Sequence, residues 1–171
     1  MSEFDLTNQI IILELVHRSA CPLSNSQIGD YFSENNLAHY FTVQSTLSDL
    51  VERQFLEPEN SGNITFYSLT EAAQKALSSF GDRLNESLSK SIDRYFAAHG
   101  LEIRDRYRTR AFYDRTTDGG CQCFLSFRED GRQILELSLH VASEEAARTI
   151  CANWSTKRDD VYTRIMDTLL T

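Results

Sequence analysis

The sequence predicts an α+β protein in two folded parts: an N-terminal set of short helices closed by a β-hairpin, and a C-terminal three-stranded antiparallel sheet covered by two helices. Three observations carry this. Apolar residues recur at helical spacing through the first half, interrupted by proline and capping residues; the stretch from Glu71 to His99 holds one helical pattern; and beyond Gly100 strand-like segments alternate with glycine-containing turns. The boundaries that follow are 1–70, a linking helical region 71–99, and 100–171.

The first helix runs from Leu6 to Val16 behind Asp5 as N-cap, and Ala20-Cys21-Pro22-Leu23 breaks it, because proline cannot continue a helix and disfavours one at the preceding residue. Ser24 and Gln27 have capping-box spacing and open a second helix with Ile28, Tyr31 and Phe32 on one face. A third begins at Phe41-Thr42 with Thr42 as cap and buries Val43, Leu47, Leu50 and Val51. Two short strands around Glu59-Asn60-Ser61-Gly62-Asn63 form a hairpin, and Thr70 caps the helix that follows. In the linking region Leu77, Leu84, Leu88, Ile92 and Phe96 form an apolar stripe that Gly81-Asp82 kinks or divides; it either packs on its own domain or pairs two copies, and a homodimer through residues 77–96 is expected. Gly100 ends the helical region. Strands at Leu101 to Tyr113, Cys121 to Arg128 and Gln133 to Val141 form a meander, the last with Leu135, Leu137, Leu139 and Val141 on one side, and helices at Ser143 to Trp154 and Lys157 to Leu170 cover it.

Composition sets limits on function. With 171 residues, 41% of them hydrophobic and 25% charged, the chain can bury one full core or two small ones. No apolar run approaches the roughly 18 residues that cross a bilayer, and the start MSEFDLTNQ has no basic leader, so a cytoplasmic protein that avoids membranes is expected. The four scattered cysteines are expected to be reduced thiols. Charge is uneven: residues 1–70 carry only Arg18 and Arg53 against nine acids, net −7, while residues 71–171 sum to −1.

Three short helices, a hairpin and a capped helix in that order are the winged helix-turn-helix arrangement. The stretch Thr42 to Tyr67, with Tyr67-Ser68-Leu69-Thr70-Glu71-Ala72 after it, resembles the recognition helix, wing and following helix of PadR-like and MarR-like bacterial transcription regulators. It departs from their pattern at Ala73 and at Gln54-Phe55-Leu56, where glycine is usual. Over its whole length the chain is similar to an uncharacterised bacterial family that joins such a domain to a small α/β domain. That second resemblance implies an architecture and no activity; the first implies DNA binding, dimerisation and transcriptional regulation.

In the third helix, Thr42, Gln44, Ser45, Thr46 and Ser48 are the candidate base readers, since small hydrogen-bonding side chains suit the major groove. Asp49 and Glu52 beside them repel phosphate, so affinity falls to Arg53, to the wing residues Asn60, Ser61, Asn63 and Thr65, and to helix N-termini. On the predicted strand after Gly100, Arg104, Arg106, Arg108 and Arg110 share one face at two-residue spacing, with Arg115 just beyond: either an anion-binding face or a solvated one paired with Glu136. Cys121 and Cys123 point together toward the apolar face with Leu125 and Phe127 and read as buried thiols, without the second ligand pair that a structural zinc site needs. His17, His39, His99 and His140 are isolated. The sequence has no phosphate-cradling glycine loop, nucleophile elbow or metal-binding helix, so no enzyme, metal or cofactor is expected. The expected function is a dimeric DNA-binding transcriptional regulator whose second domain senses a small-molecule or protein ligand or supports assembly; the alternative, favoured by the −7 charge, is a protein-interaction module of the same fold without DNA binding.

Overall fold

The computed structural model describes residues 3–80 and 85–171, in two compact units, 1–104 and 105–171. The chain runs α1 (Glu3–Arg18), β1 (Leu23–Ser24), α2 (Asn25–Glu34), α3 (Tyr40–Glu52), β2 (Leu56–Ser61), β3 (Ile64–Leu69), α4 (Glu71–Phe80), α5 (Glu86–Arg108), β4 (Thr109–Arg115), β5 (Cys121–Glu129), β6 (Arg132–Val141) and α6 (Glu144–Leu170). It is a mixed α+β architecture with two three-stranded antiparallel sheets, in the orders β1-β3-β2 and β4-β5-β6. Among the described residues no helix is long and apolar enough to cross a membrane.

In the first unit α1 is the central element. All six residues from Ile11 to Val16 are buried, which a helix tolerates only when it is covered on nearly every side. Asp5 lies inside α1, which starts at Glu3, and is not its N-cap. Glu14, buried among the apolar residues, is neutralised by Arg18 at 3.0 Å, and the same guanidinium donates to Ser89 Oγ at 2.9 Å and pairs with Asp93 at 3.2 Å. That fork ties α1 to α5. Tyr31 and Tyr95, ring to edge at 5.3 Å, do the same for α2, with Tyr31 Oη 2.6 Å from Ser91 Oγ and Tyr95 Oη donating to the Gln27 carbonyl at 2.8 Å.

Local signals decide the ends of these elements. Ser24 Oγ accepts from Gln27 N at 3.2 Å while Gln27 Oε1 accepts from Ser24 N at 2.8 Å, the reciprocal capping box that the spacing predicts. Thr70 caps α4 through Ala73 N, and Ser143 caps α6 through Ala146 N, both at 3.2 Å. The end of α3 is less usual. Phe55 N bonds back to Leu50 O at 2.9 Å around Gln54, which takes φ 59°. This is the left-handed position where glycine is usual, so one departure from the regulator pattern sits on the strained residue of the helix terminus. The other, Ala73, is fully buried.

The structure corrects three element assignments. Residues 101–108 are helical, not the start of a strand: α5 passes through Gly100 to Arg108, because Ile92, Tyr95, Phe96 and Ile103 keep a three-and-four spacing toward one core and nothing obstructs the helix at the glycine. The helices expected at Ser143 to Trp154 and Lys157 to Leu170 are one, α6, because Ala147, Ile150, Trp154 and Val161 extend a single stripe through Ser155-Thr156, which are weak helix formers and not breakers. The third helix begins at Tyr40 with His39 as N-cap and no side-chain cap bond, so Thr42 lies within it. The expected kink at Gly81-Asp82 lies outside the described residues; α5 starts after Asn85, whose Oδ1 accepts from Leu88 N at 2.8 Å.

In the second unit α6 covers the face of the sheet formed by Cys121, Cys123, Leu125 and Phe127 of β5. The register places Leu135, Leu137, Leu139 and Val141 of β6 opposite them on the same face, as their alternation predicts, although Leu139 stays 39% exposed. Asp130 at φ 48° and Gly131 at φ 76° form the two-residue turn between β5 and β6, the pattern of a type I′ hairpin. The β4–β5 turn is held by Asp118, whose carboxylate accepts from the Thr116 hydroxyl and from Gly120 N at 3.2 Å and pairs with His140 Nε2 at 3.1 Å. A Cβ on Gly120 would meet Val141 O at 2.7 Å.

Two outcomes test this account. Ser24→Ala should cost about 1–2 kcal/mol in urea unfolding, since it removes one arm of the capping box and leaves a buried Gln27 amide without its partner. The Thr116 hydroxyl, the Gly120 amide and His140 lower the Asp118 carboxyl from 3.8 to about 2. A depressed carboxyl stabilises the fold above its unfolded value and loses that contribution as pH falls through the folded one. The thermal midpoint should therefore drop between about pH 4 and pH 2, and Asp118→Asn should flatten that part of the profile.

Candidate functional site

α3 presents a two-sided surface in the first unit. Val43, Thr46, Leu47 and Leu50 are buried, at the three-and-four spacing of one helical face. Opposite them Phe41, Ser45, Ser48, Asp49 and Glu52 are exposed. Ser45 and Ser48 thus stand where base readers were expected. Thr46 does not: it is 6% exposed and its hydroxyl donates to the Thr42 carbonyl at 2.8 Å, so it is packing and not surface. Its spacing, three after Val43 and four before Leu50, is the signal that its polar identity masked. Gln44 and Thr42 are half-buried, and the Gln44 amide nitrogen is shielded from solvent without a hydrogen-bond partner. The Gln44 amide nitrogen is therefore not offered to solvent.

Arg53 is exposed at the C-cap of α3 and is the only lysine or arginine between residues 19 and 74. Beside α3 the β2–β3 hairpin turns through Gly62 at φ 61° and Asn63, the pattern of a type II′ turn. Asn60 and Asn63 are exposed near its tip and Ser61 and Thr65 are half-exposed. Thr65 donates to Asn60 Oδ1 at 2.9 Å across the strand pair, leaving the Asn60 amide nitrogen outward. Between α2 and the start of α3 lies an open cleft of about 670 Å³ whose lining includes Gly29, Asp30, Ser33, His39, Tyr40 and Thr42. Sequence reasoning missed the two aromatic residues at the start of α3: Tyr40 is 59% and Phe41 84% exposed, with their rings edge to face at 5.8 Å.

The arginine ladder does not form. Arg104, Arg106 and Arg108 lie on α5, where residues two apart diverge by about 200°, and only Arg110 lies on β4. Alternation at period two gave the strand expectation; the deeper period, set by Ile103 packing into the first core, decided the outcome. In the second unit Arg110 and Arg128 instead lie over the Tyr107 ring at 5.1 and 5.3 Å, and Arg128 donates to its hydroxyl at 2.8 Å. Arg115 turns to the α6 side, where it, Arg148 and the Tyr113 hydroxyl converge on Glu144, and hydrogen bonds from Arg148, Tyr113 and Arg115 hold the Glu144 carboxyl below its ordinary value.

Comparison with known proteins places the chain in a family. The chain belongs to the family described as Domain of unknown function (DUF4364), whose model matches residues 8–169. No curated protein and no solved structure matches the chain.

The three cysteines of the second unit, Cys121 and Cys123 on β5 and Cys151 on α6, are buried or half-buried free thiols. Burial raises the Cys123 thiol, and burial together with the neighbouring Cys123 raises Cys151 to about 11. Metal binding needs the thiolate, which this setting disfavours. Among the described residues no three His, Cys, Asp or Glu side chains are grouped as a metal site. At pH 8 the thiolate fraction of Cys151 should be on the order of one in a thousand. Iodoacetamide should therefore label half-exposed Cys21 first in the native protein, with Cys121, Cys123 and Cys151 labelled only on unfolding, as mass spectrometry of the intact chain and its peptides would show.

Proposed function

We propose that the first unit is a winged helix-turn-helix domain that reads duplex DNA through α3 and the β2–β3 hairpin, and that the protein is a dimeric cytoplasmic transcriptional regulator. The second unit, on this reading, senses a ligand or supports assembly. The observation that carries it is the pairing of a buried stripe, Val43, Leu47 and Leu50, with an opposite face that exposes Ser45 and Ser48 beside a hairpin tipped with Asn60 and Asn63. Supporting it are the order helix, short strand, helix, helix, hairpin, with β1 paired to β3, and the resemblance of residues 42–72 to PadR-like and MarR-like regulators.

The expected homodimer through residues 77–96 is part of this reading, and the core limits which side chains of that segment it can use. Leu77 and Ile92 are 5% and 0% exposed, with Leu88 and Phe96 packed beside them in the unit's own core, while Leu84 lies outside the described residues. Pairing two copies through that segment would use its exposed side chains, among them Lys90, Asp93 and Arg94, and leave the core closed.

A second reading, a protein-interaction module of the same fold, draws on one observation: the exposed face of α3 carries Asp49 and Glu52 and no cation, within a 70-residue segment of net −7. The two readings differ in salt dependence. Each phosphate contact contributes about −0.9 to the slope of log K against log salt. With Arg53 the one lysine or arginine between residues 19 and 74, a dimer should show a slope of about −2, and Arg53→Ala should bring it near zero. Selection from a pool of random duplexes at two salt concentrations, followed by fluorescence anisotropy on the enriched sequence, measures this. Enrichment of a two-fold symmetric motif with that shallow slope supports the regulator; no duplex retained even at low salt rejects it in favour of the interaction module.

A further inference from the structure

Phe41 is 84% exposed, more than any other large apolar side chain described, and it belongs to neither unit's core. It stands in the first turn of α3, four residues before Ser45, seven before Ser48 and eleven before Glu52, so it heads the exposed stripe. The Tyr40 ring packs edge-on against it at 5.8 Å and 77°, which restricts where the Phe41 ring can point. An apolar ring left in water at the entry end of such a helix gains by meeting another apolar group.

We propose that Phe41 is a base-selecting contact that meets the 5-methyl group of thymine in the major groove. The inference rests on the DNA-reading function above. Residues near the N-terminus of a recognition helix are those that approach base edges. Among the major-groove edges of the four bases only thymine carries an apolar group; guanine, adenine and cytosine present hydrogen-bonding atoms, which a phenyl ring would desolvate without replacing. Ser45 and Ser48 can each donate or accept and so discriminate weakly, which leaves Phe41 as the side chain on this stripe with one matching base.

The test replaces thymines of the selected duplex one at a time by deoxyuridine, which keeps every hydrogen-bonding group and removes only the methyl. Binding of the full chain is measured by anisotropy for the native sequence, Phe41→Ala and Phe41→Leu. At one thymine position per half-site the native protein should bind about fourfold more weakly to deoxyuridine, and about fifteenfold more weakly when both half-sites are changed, the factor carried by one buried methyl-sized group. Phe41→Ala should bind the two duplexes equally, and Phe41→Leu should keep part of the preference. Thermal melting of both variants should match the native protein, because an exposed side chain is being replaced. Indifference of the native protein to deoxyuridine at every position, or undiminished discrimination by Phe41→Ala, overturns the thymine contact while leaving DNA reading intact. Failure to retain any duplex overturns both.

Discussion

The burial of one stripe of α3 against α1 and α2 is the constraint on which the rest of the first unit depends. Val43, Leu47 and Leu50 are each at most 1% exposed, and fixing them fixes the rotation of the helix about its axis. With a rise of about 1.5 Å and a turn of 100° per residue, that single choice determines which residues can be surface. Phe41, Ser45, Ser48 and Glu52 are exposed because Val43, Leu47 and Leu50 are not. α1 makes this possible by being buried almost all round, so that it can support α3, β3 and α4 at once. Replacing any of the three stripe residues would lose packing and also the phase of the exposed face, coupling stability to whatever that face binds.

How much of this was legible in the sequence follows the range of each interaction. Capping is local, and Ser24 with Gln27, Thr70 and Ser143 all perform the roles their spacing announces. The turn at Asp130-Gly131 is equally local. Element lengths were harder where a polar pattern at period two overlay an apolar pattern at three and four. Arg104, Arg106, Arg108 and Arg110 look like a strand because long charged side chains tolerate almost any exposed position, so their spacing carries little information. Ile103, at 3% exposure, carried the deciding information as one residue among charged neighbours. Gly100 misled for a related reason: glycine costs about 1 kcal/mol in a helix interior, which a tertiary contact one turn later readily offsets.

The candidate site was legible in position but not in detail. The helix, the hairpin and the serines fell where they were expected, whereas Thr46 turned inward and Phe41 outward. The first is an error of reading polarity in place of phase, and the second an omission, since Phe41 was assigned to no face. A threonine can be buried when its hydroxyl bonds back to the carbonyl four residues earlier, as Thr46 does to Thr42. A phenylalanine at a helix start is easily counted with the core, and only the helix start at Tyr40 and the stripe it implies place Phe41 on the other side.

The distribution of charge along α3 bears on how a largely acidic domain would approach a polyanion. At physiological salt the screening length is about 8 Å, so acids elsewhere in the unit count for less than those on the contacting surface. On α3 these are Asp49 and Glu52, both in its C-terminal half, while its N-terminal half is uncharged from Tyr40 to Ser48. The helix dipole adds partial positive charge at that same N-terminal end, where His39 contributes no side-chain cap bond to offset it. These two terms favour an approach led by the first turn of α3, while Arg53 at the opposite end supplies the attraction to phosphate. With so little phosphate attraction, binding would rely mainly on close contact at a few base edges. For a domain of this composition, selectivity would then come from shape and apolar fit more than from charge.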